Sequence, residues 1–366
     1  MTADAVGGVW TFALDLAAGL ARHGVTTSLV TLGPPPDAAQ QAAAEMIPGL
    51  GLRCTGLPLD WTAADARQLA AVAPTLSALA RSEGVELLHL HAPSLAADLR
   101  APVPVIASCH SCVTTWWRAV HGAASPLPPD LAWRSALTRR GALEADLLVA
   151  PTEAFAAAFT RAYALPSSPR VVRNGRRDLG APDRAEDIVL TAGRLWDAGK
   201  NLAALDRAAA LLPVPVLAAG PARGPGGASF EPRSLRLLGS LPEAALRALM
   251  ARGPVFVSPA RYEPFGLAVL EAAQAGCALV LSDIPSFREL WDGAARFVPA
   301  DDEGETLAAE IRALLQDREQ RAALRAAARE RSRRYGVEAM ATGMLRLYAE
   351  VLAPGRTGAS GRERVA

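Results

Sequence analysis

IVLTAGRLWDAGKNLAALDRAAALLPVPVLAAGP, residues 188–221, opens and closes on short apolar runs and carries a helical stretch between them. Runs of this length, bounded by Gly and Pro, read as buried strands, and a strand–helix–strand alternation is a βαβ unit with a parallel crossover. Further strands are predicted at LRLLGSL (235–241), VFVSPAR (255–261), ALVLSD (278–283) and ARFVPA (295–300). Upstream, TTSLVTL (26–32), VELLHLH (85–91), VPVIASCH (103–110) and DLLVAPT (146–152) have the same character. Between them Trp10, Leu14, Ala17 and Ala21, and then Leu69, Val72, Leu76 and Leu79, recur at helical spacing. Strands alternating with helices along the chain predict an α/β protein with doubly wound parallel sheets.

The chain has 366 residues, enough for two domains that each bury a core. LPSSPRVVRNGRRDLGAPDR (165–184) reads as the linker, which gives a first domain over 1–165 and a second over 166–336. Residues 305–333 read as an amphipathic helix or helix pair and 337–353 as a last helix; the Gly/Arg-rich tail 354–366 reads as disordered. Half of the residues are hydrophobic and the net charge is +1, a balance that argues against a nucleic-acid partner. No apolar run reaches the roughly 18 residues of a membrane span, and no signal-peptide pattern opens the chain. Cys54, Cys109, Cys112 and Cys277 read as reduced cytoplasmic thiols. Of 38 basic residues only Lys200 is lysine, so its position marks a place where a compact ammonium is wanted.

In open parallel sheets ligands bind beyond the carboxyl ends of the strands, and the chemically suggestive residues fall there. Gly7 and Gly8 precede a helix whose N-terminus favours an anion, although a tight turn explains the pair equally. Arg194 supplies a planar fork and Lys200 a point charge, the two kinds of cation that hold a diphosphate; the plainer reading of Arg194 is a surface ion pair. In RYEPFGLAVLEAAQAG (261–276), Glu263 ends a strand, Pro264-Phe265-Gly266 turns the chain, and Glu271 follows two helical turns on. Two carboxylates so placed can each accept hydroxyl protons from a polyol such as a sugar or ribose. His89 and His91 are read as pointing to opposite faces of one strand and so as structural. Trp116 and Trp117 suit either an acceptor platform or core packing. Asp283 and Glu289 are read as helix capping, and Asp301-Asp302 as a solvated loop.

VLTAGRLWDAGKN followed by ARYEPFGLAVLEAAQAG resembles the paired signature of the family 4 glycosyltransferases. GGVWTFALDLAAGLARHGV, HLHAPS, IASCHS, ADLLVAPTEA and VVRNG extend the resemblance through nearly the whole chain. It implies the GT-B fold, two Rossmann-like domains facing across a cleft, with the helix at 337–353 crossing back to an acceptor-side first domain. It implies a retaining, metal-free hexosyl transfer from a nucleotide diphosphate-sugar to a saccharide or lipid-linked acceptor, as in exopolysaccharide or cell-surface glycan synthesis. The enzyme would be cytoplasmic, with peripheral attachment to the inner face of the membrane as an option, and would need no cofactor. Carried onto this chain, Arg194 and Lys200 neutralise the departing diphosphate and Glu263 contacts the donor sugar. The backbone of Phe265, Gly266 and Leu267 assists, Glu271 takes the ribose, His110 reaches the donor sugar, and Gly8 lies against the diphosphate or acceptor. Three departures stand out. The Arg-to-Lys spacing is one residue longer than the common form, so the loop is expected to bulge. Arg176-Arg177-Asp178 replaces a frequent Val-Asp after Asn174-Gly175, so Asn174 receives no role. Only six residues precede Gly7, so either the first strand is short or the true start lies upstream. The competing readings are an epimerase or a sugar-nucleotide-binding protein on the same fold. A phosphorylase would need its own cofactor lysine, and a dehydrogenase a G-x-G-x-x-G after the first strand.

Overall fold

The computed structural model describes residues 1–178, 180 and 185–353; the predicted disordered tail and part of the predicted linker lie outside the described residues. The chain divides into two compact units. One comprises 1–118, 122–175 and the segment from Val337; the other comprises 176–336 with 119–121.

The first unit runs β1 (Thr2–Asp4), α1 (Gly8–Ala21), β2 (Thr27–Leu32), α2 (Ala38–Glu45), β3 (Leu50–Cys54) and α3 (Val72–Ser82). It continues through β4 (Leu88–Leu90), β5 (Val105–Ser108), α4 (Val113–His121), α5 (Pro129–Glu144), β6 (Leu147–Ala150), α6 (Glu153–Tyr163) and β7 (Arg170–Val171). All pairings are parallel, within a three-stranded sheet β1-β2-β3 and a four-stranded sheet β4-β5-β6-β7. A side-chain bond joins the two sheets where a backbone ladder does not: the His91 N–H donates to Thr2 Oγ1 at 3.0 Å. The leading strand is present but only three residues long, in register from Thr2↔Val30 to Asp4↔Leu32. β3 escapes sequence reading because this edge strand is nowhere fully buried and shows no apolar run. β7 lies inside the stretch read as linker and pairs with β6, so the first unit extends to Gly175.

The second unit runs β8 (Val189–Ala192), α7 (Leu202–Ala209), β9 (Val216–Ala219), β10 (Arg236–Gly239), α8 (Glu243–Met250) and β11 (Val255–Ser258). It continues through α9 (Leu267–Gln274), β12 (Ala278–Ser282), α10 (Pro285–Trp291), β13 (Arg296–Val298), α11 (Glu305–Gln316) and α12 (Arg318–Ser332). The predicted helix pair is real, and Asp317 breaks it by capping α12 through the Gln320 N–H at 2.9 Å. The six strands follow the order β10-β9-β8-β11-β12-β13, which is the 3-2-1-4-5-6 order of a Rossmann sheet. β8, β9, β11 and β12 read as continuous apolar runs because helices cover both faces, giving one core around Phe256, Phe287 and Trp291 and another around Leu205, Val257 and Ile311.

The last helix, α13 (Val337–Leu352), belongs to the first unit. Met340, Ala341, Met344, Leu347, Tyr348 and Val351 share a core with Phe12, Leu16, Leu20, Ile106 and Val149, while Leu345 packs at its margin. Burying each large side chain contributes roughly 1.5–3 kcal/mol, so this stripe anchors the helix firmly. Gly19 permits the close approach to α1: a Cβ there would stand 2.7 Å from the Ala341 Cβ. Among the described residues no helix is long and apolar enough to cross a membrane.

Candidate functional site

The strand order of the second unit reverses between β8 and β11, and the loops leaving these neighbours lie at the switch point where open parallel sheets bind ligands. Lys200 comes from the first loop and Glu263 from the second, and the Lys200 Nζ donates to Glu263 Oε2 in a short ion pair. The backbone sets this meeting. Gly199 O accepts the N–H groups of Arg261 at 2.9 Å and Tyr262 at 3.1 Å, so the two loops are joined one residue away from each charged side chain. Ser286 Oγ donates to Glu263 O at 2.5 Å and holds the second loop from the other side. Glu263 is followed by Phe265, whose side chain is buried, and by Gly266, which opens α9 in the left-handed region with φ 90°. Leu267 is the first residue of α9, so the opening N–H groups of the helix have no intrahelical acceptor.

Asp197 organises the cation loop, and nothing in the sequence reading singled it out. Its buried carboxylate accepts from Gly199 N at 2.9 Å through one oxygen and from Arg194 Nη2 at 2.9 Å through the other. The first bond shapes the 3₁₀ turn Ala198–Lys200, and Asn201, left-handed at φ 52°, passes the chain into α7. The long Arg-to-Lys spacing is thus taken up by a capped turn. The plainer reading of Arg194 holds in part: it makes the local ion pair with Asp197 and lies 5.6 Å from the Trp196 ring centre, while remaining half exposed.

Glu271 lies on α9, and its carboxylate is already engaged. Arg176 Nε donates to Glu271 Oε1 at 2.7 Å, and Arg176 Nη2 donates to Glu243 Oε1 at 2.8 Å. Beside them Arg176, Arg177, Arg247, Glu271 and Gln274 line a cavity of about 330 Å³. Sequence reading flagged Arg176 only as a departure from a family pattern.

In the first unit Gly8 is exposed at the start of α1, and Asp4 Oδ1 accepts from Val6 N at 2.9 Å and Gly7 N at 3.1 Å to form the preceding turn. His110 follows β5, its ring 4.4 Å from that of Phe12. Trp116 and Trp117 are half buried on α4, their ring centres 6.3 Å apart. The assignment of His89 and His91 to opposite faces is wrong: strand residues two apart share a face, and the two rings lie 4.6 Å apart. His89 is satisfied by Tyr348 Oη and Ser108 Oγ, each at 2.7 Å, which ties α13 to β4 and β5. His91 is buried, and neither ring nitrogen has a hydrogen-bond partner among the described residues. Burial pushes His89 and His91 well below the ordinary histidine range and lowers His110 to about 4.

These histidines make the first unit acid-sensitive. A histidine held neutral in the fold takes up its proton only on unfolding, so stability is complete above the unfolded value of about 6.5 and declines as pH falls below it, by roughly 1.4 kcal/mol per pH unit for each group. Urea melts of the whole chain are expected to lose stability steadily as pH falls from 6.5 to 5, with roughly 1.5–2 kcal/mol from His110, whose folded value is about 4, and a further loss from His89 and His91. A flat response across that range would contradict their burial as neutral rings.

One capping assignment and one loop assignment are corrected. Ile284 occupies the cap of α10, and the Asp283 carboxylate is instead gripped by Arg288 Nε at 2.6 Å and Nη2 at 2.7 Å. Asp302, read as solvated, organises the start of α11 by accepting from Gly304, Thr306 and Leu307 N–H groups at 2.9, 3.1 and 3.0 Å. The four cysteines are free thiols, with Cys109, Cys112 and Cys277 buried. Among the described residues no cluster of three histidine, cysteine or acidic side chains is arranged to hold a metal.

Residues 6–177 match the family model described as Glycosyltransferase Family 4, and residues 232–331 match that of Glycosyl transferases group 1. The second match contains Glu263 and Glu271; Arg194 and Lys200 lie between the two matched segments. A phosphatidyl-myo-inositol mannosyltransferase of Mycolicibacterium smegmatis is 31% identical over 311 residues, spanning 77% of this chain and 76% of that protein. Among solved structures, a sucrose-phosphate synthase from Thermosynechococcus elongatus aligns with a TM-score of 0.79 at 20% identity, over 95% of this chain and 98% of the other. Anabaena HepE in complex with UDP and glucose aligns at 0.70 with 18% identity, over 95% and 98%.

Proposed function

Since this chain belongs to the family 4 glycosyltransferases, enzymes that use nucleotide-sugar donors, we propose that it is a retaining hexosyltransferase whose donor binds at the β8/β11 switch point of the second unit. The observation that carries this reading is the meeting of Lys200 and Glu263 there, a cation and a polyol-binding carboxylate fixed beside each other by Gly199 O. As the glycosidic bond breaks, negative charge grows on the leaving diphosphate, and Lys200 with Arg194 stabilises it. Lys200 must leave Glu263, or share it, when the phosphates arrive, and the released carboxylate then accepts donor-sugar hydroxyl protons. N–H groups of Phe265, Gly266 and Leu267 hold the sugar and phosphate where α9 opens. Glu271 takes the ribose.

For the first unit, the resemblance alone assigns Gly8 to the diphosphate or acceptor and His110 to the donor sugar. As a neutral ring, His110 can both donate and accept a hydrogen bond. Trp116 and Trp117 offer an apolar platform to a saccharide or lipid-linked acceptor. The M. smegmatis relative, by its name a phosphatidyl-myo-inositol mannosyltransferase, supports a lipid-borne acceptor. A role in cell-surface glycan synthesis, by a cytoplasmic enzyme with peripheral attachment to the membrane as an option, is the reading that the resemblance implies. No metal or cofactor is part of the mechanism.

The test is turnover of UDP-, GDP- and ADP-linked glucose and mannose by the purified chain, followed by proton NMR with saccharide and lipid-linked acceptors. One donor class is expected to be consumed, with the anomeric configuration kept in the product. Inverted product would overturn the retaining mechanism, and silence across the panel would overturn the choice of donors.

A further inference from the structure

We infer that Arg176 is the residue that positions Glu271 for the donor ribose, an inference that rests on the ribose role proposed above for Glu271. Arg176 is only 7% exposed and is fixed at both ends of its own residue before its side chain reaches out. Its backbone N–H donates to Tyr335 O at 3.0 Å, and its carbonyl accepts from Gln274 Nε2 at 3.1 Å. Gln274 lies three residues beyond Glu271, so α9 presents both to Arg176 from one side. The guanidinium then forks, Nε to Glu271 and Nη2 to Glu243, at 2.7 and 2.8 Å.

The two carboxylates differ in their surroundings. The Glu243 side chain is 62% exposed and that of Glu271 is 20% exposed, so water can replace Arg176 at Glu243 but poorly at Glu271. The consequence is asymmetric. Without Arg176, Glu243 turns into solvent, whereas the partly buried Glu271 loses the guanidinium that orients its carboxylate toward a ribose. A planar fork performs this double contact and an ammonium does not, so lysine is a partial substitute at best.

The experiment compares the donor that the wild type turns over with its 2′-deoxy and 3′-deoxy analogues, using R176M, R176K, E271Q and the double variant R176M/E271Q, with melting temperatures recorded throughout. E271Q is expected to raise donor KM about tenfold and to erase most of the preference for ribose over deoxyribose. R176M is expected to do the same, through KM more than kcat, and the double variant to lose less than about threefold beyond E271Q because both act on one contact. R176K should recover part of the preference. If R176M keeps the ribose preference, or if the losses multiply in the double variant, Arg176 is only a structural ion-pair partner and the inference is overturned. If E271Q itself keeps the preference, the ribose role of Glu271 fails first and the inference fails with it. Should R176M melt too low to assay, R176K and the double variant R176K/E271Q complete the same cycle.

Discussion

Lys200→Ala is expected to lower kcat by on the order of 10² to 10³ while leaving the circular dichroism spectrum unchanged. The size follows from where the charge is needed. The ammonium meets the diphosphate most strongly when the glycosidic bond is broken, so its loss falls on the transition state and not on the bound donor alone. The fold survives because the loop does not depend on the side chain: Asp197 caps the turn through Gly199 N, and Gly199 O holds Arg261 and Tyr262. Lys200→Arg should recover activity only in part. A guanidinium is planar and broad, and the turn between Asp197 and the left-handed Asn201 offers no freedom to back it away from Glu263. Steady-state kinetics with the preferred donor checks this. Full activity of Lys200→Arg would show that the sole lysine of the chain is a compositional accident. Full activity of Lys200→Ala would remove the diphosphate site from this loop.

Gly220→Ala is expected to cost about 3 kcal/mol or more of stability and to disable the same site. Gly220 ends β9 at φ 134°, and a Cβ there would stand 1.8 Å from the carbonyl oxygen of Gly193. That carbonyl immediately precedes Arg194, so relieving the clash displaces the root of the cation loop. The same glycine donates its N–H to Gly239 O at 2.8 Å, which ties the ends of β9 and β10 together. Gly293, in the same unit, is the natural control: its φ of 75° is also left-handed, but a Cβ there would meet nothing within 4 Å. Gly293→Ala should therefore show only the intrinsic penalty of about 1–2 kcal/mol. Denaturant melts of the two variants separate crowding from backbone strain, and equal losses would contradict the crowding argument.

The contrast between these glycines shows which parts of the molecule a sequence can display. The second unit was legible nearly strand by strand, because a sheet covered on both faces concentrates valine, leucine and alanine into unbroken runs such as Ala278–Ser282. β3 and β7 were not legible: one is an exposed-edge strand and the other is two residues long, so neither carries a periodic signal. Glu263 and Lys200 announced themselves by residue type and placement, and the geometry joins them. The supporting residues did not. Asp197 acts through hydrogen bonds to residues two and three positions away from it, and it looks like any loop aspartate until the turn is built. Arg176 finds Glu271 across 95 residues, a distance over which no local pattern operates. The histidine error was of a different kind. His89 and His91 are two apart on one strand, and the period of a strand alone places them on one face.

The claim on which the account turns is that the β8/β11 switch point holds a diphosphate, and calorimetric titration measures it without any knowledge of the acceptor. The wild-type chain should bind the nucleoside diphosphate of its preferred donor about tenfold or more tightly than the matching monophosphate, a difference of roughly 1.4 kcal/mol. Lys200→Ala should bring the two affinities together. An undiminished preference for the diphosphate in Lys200→Ala would place the phosphates elsewhere and contradict the account.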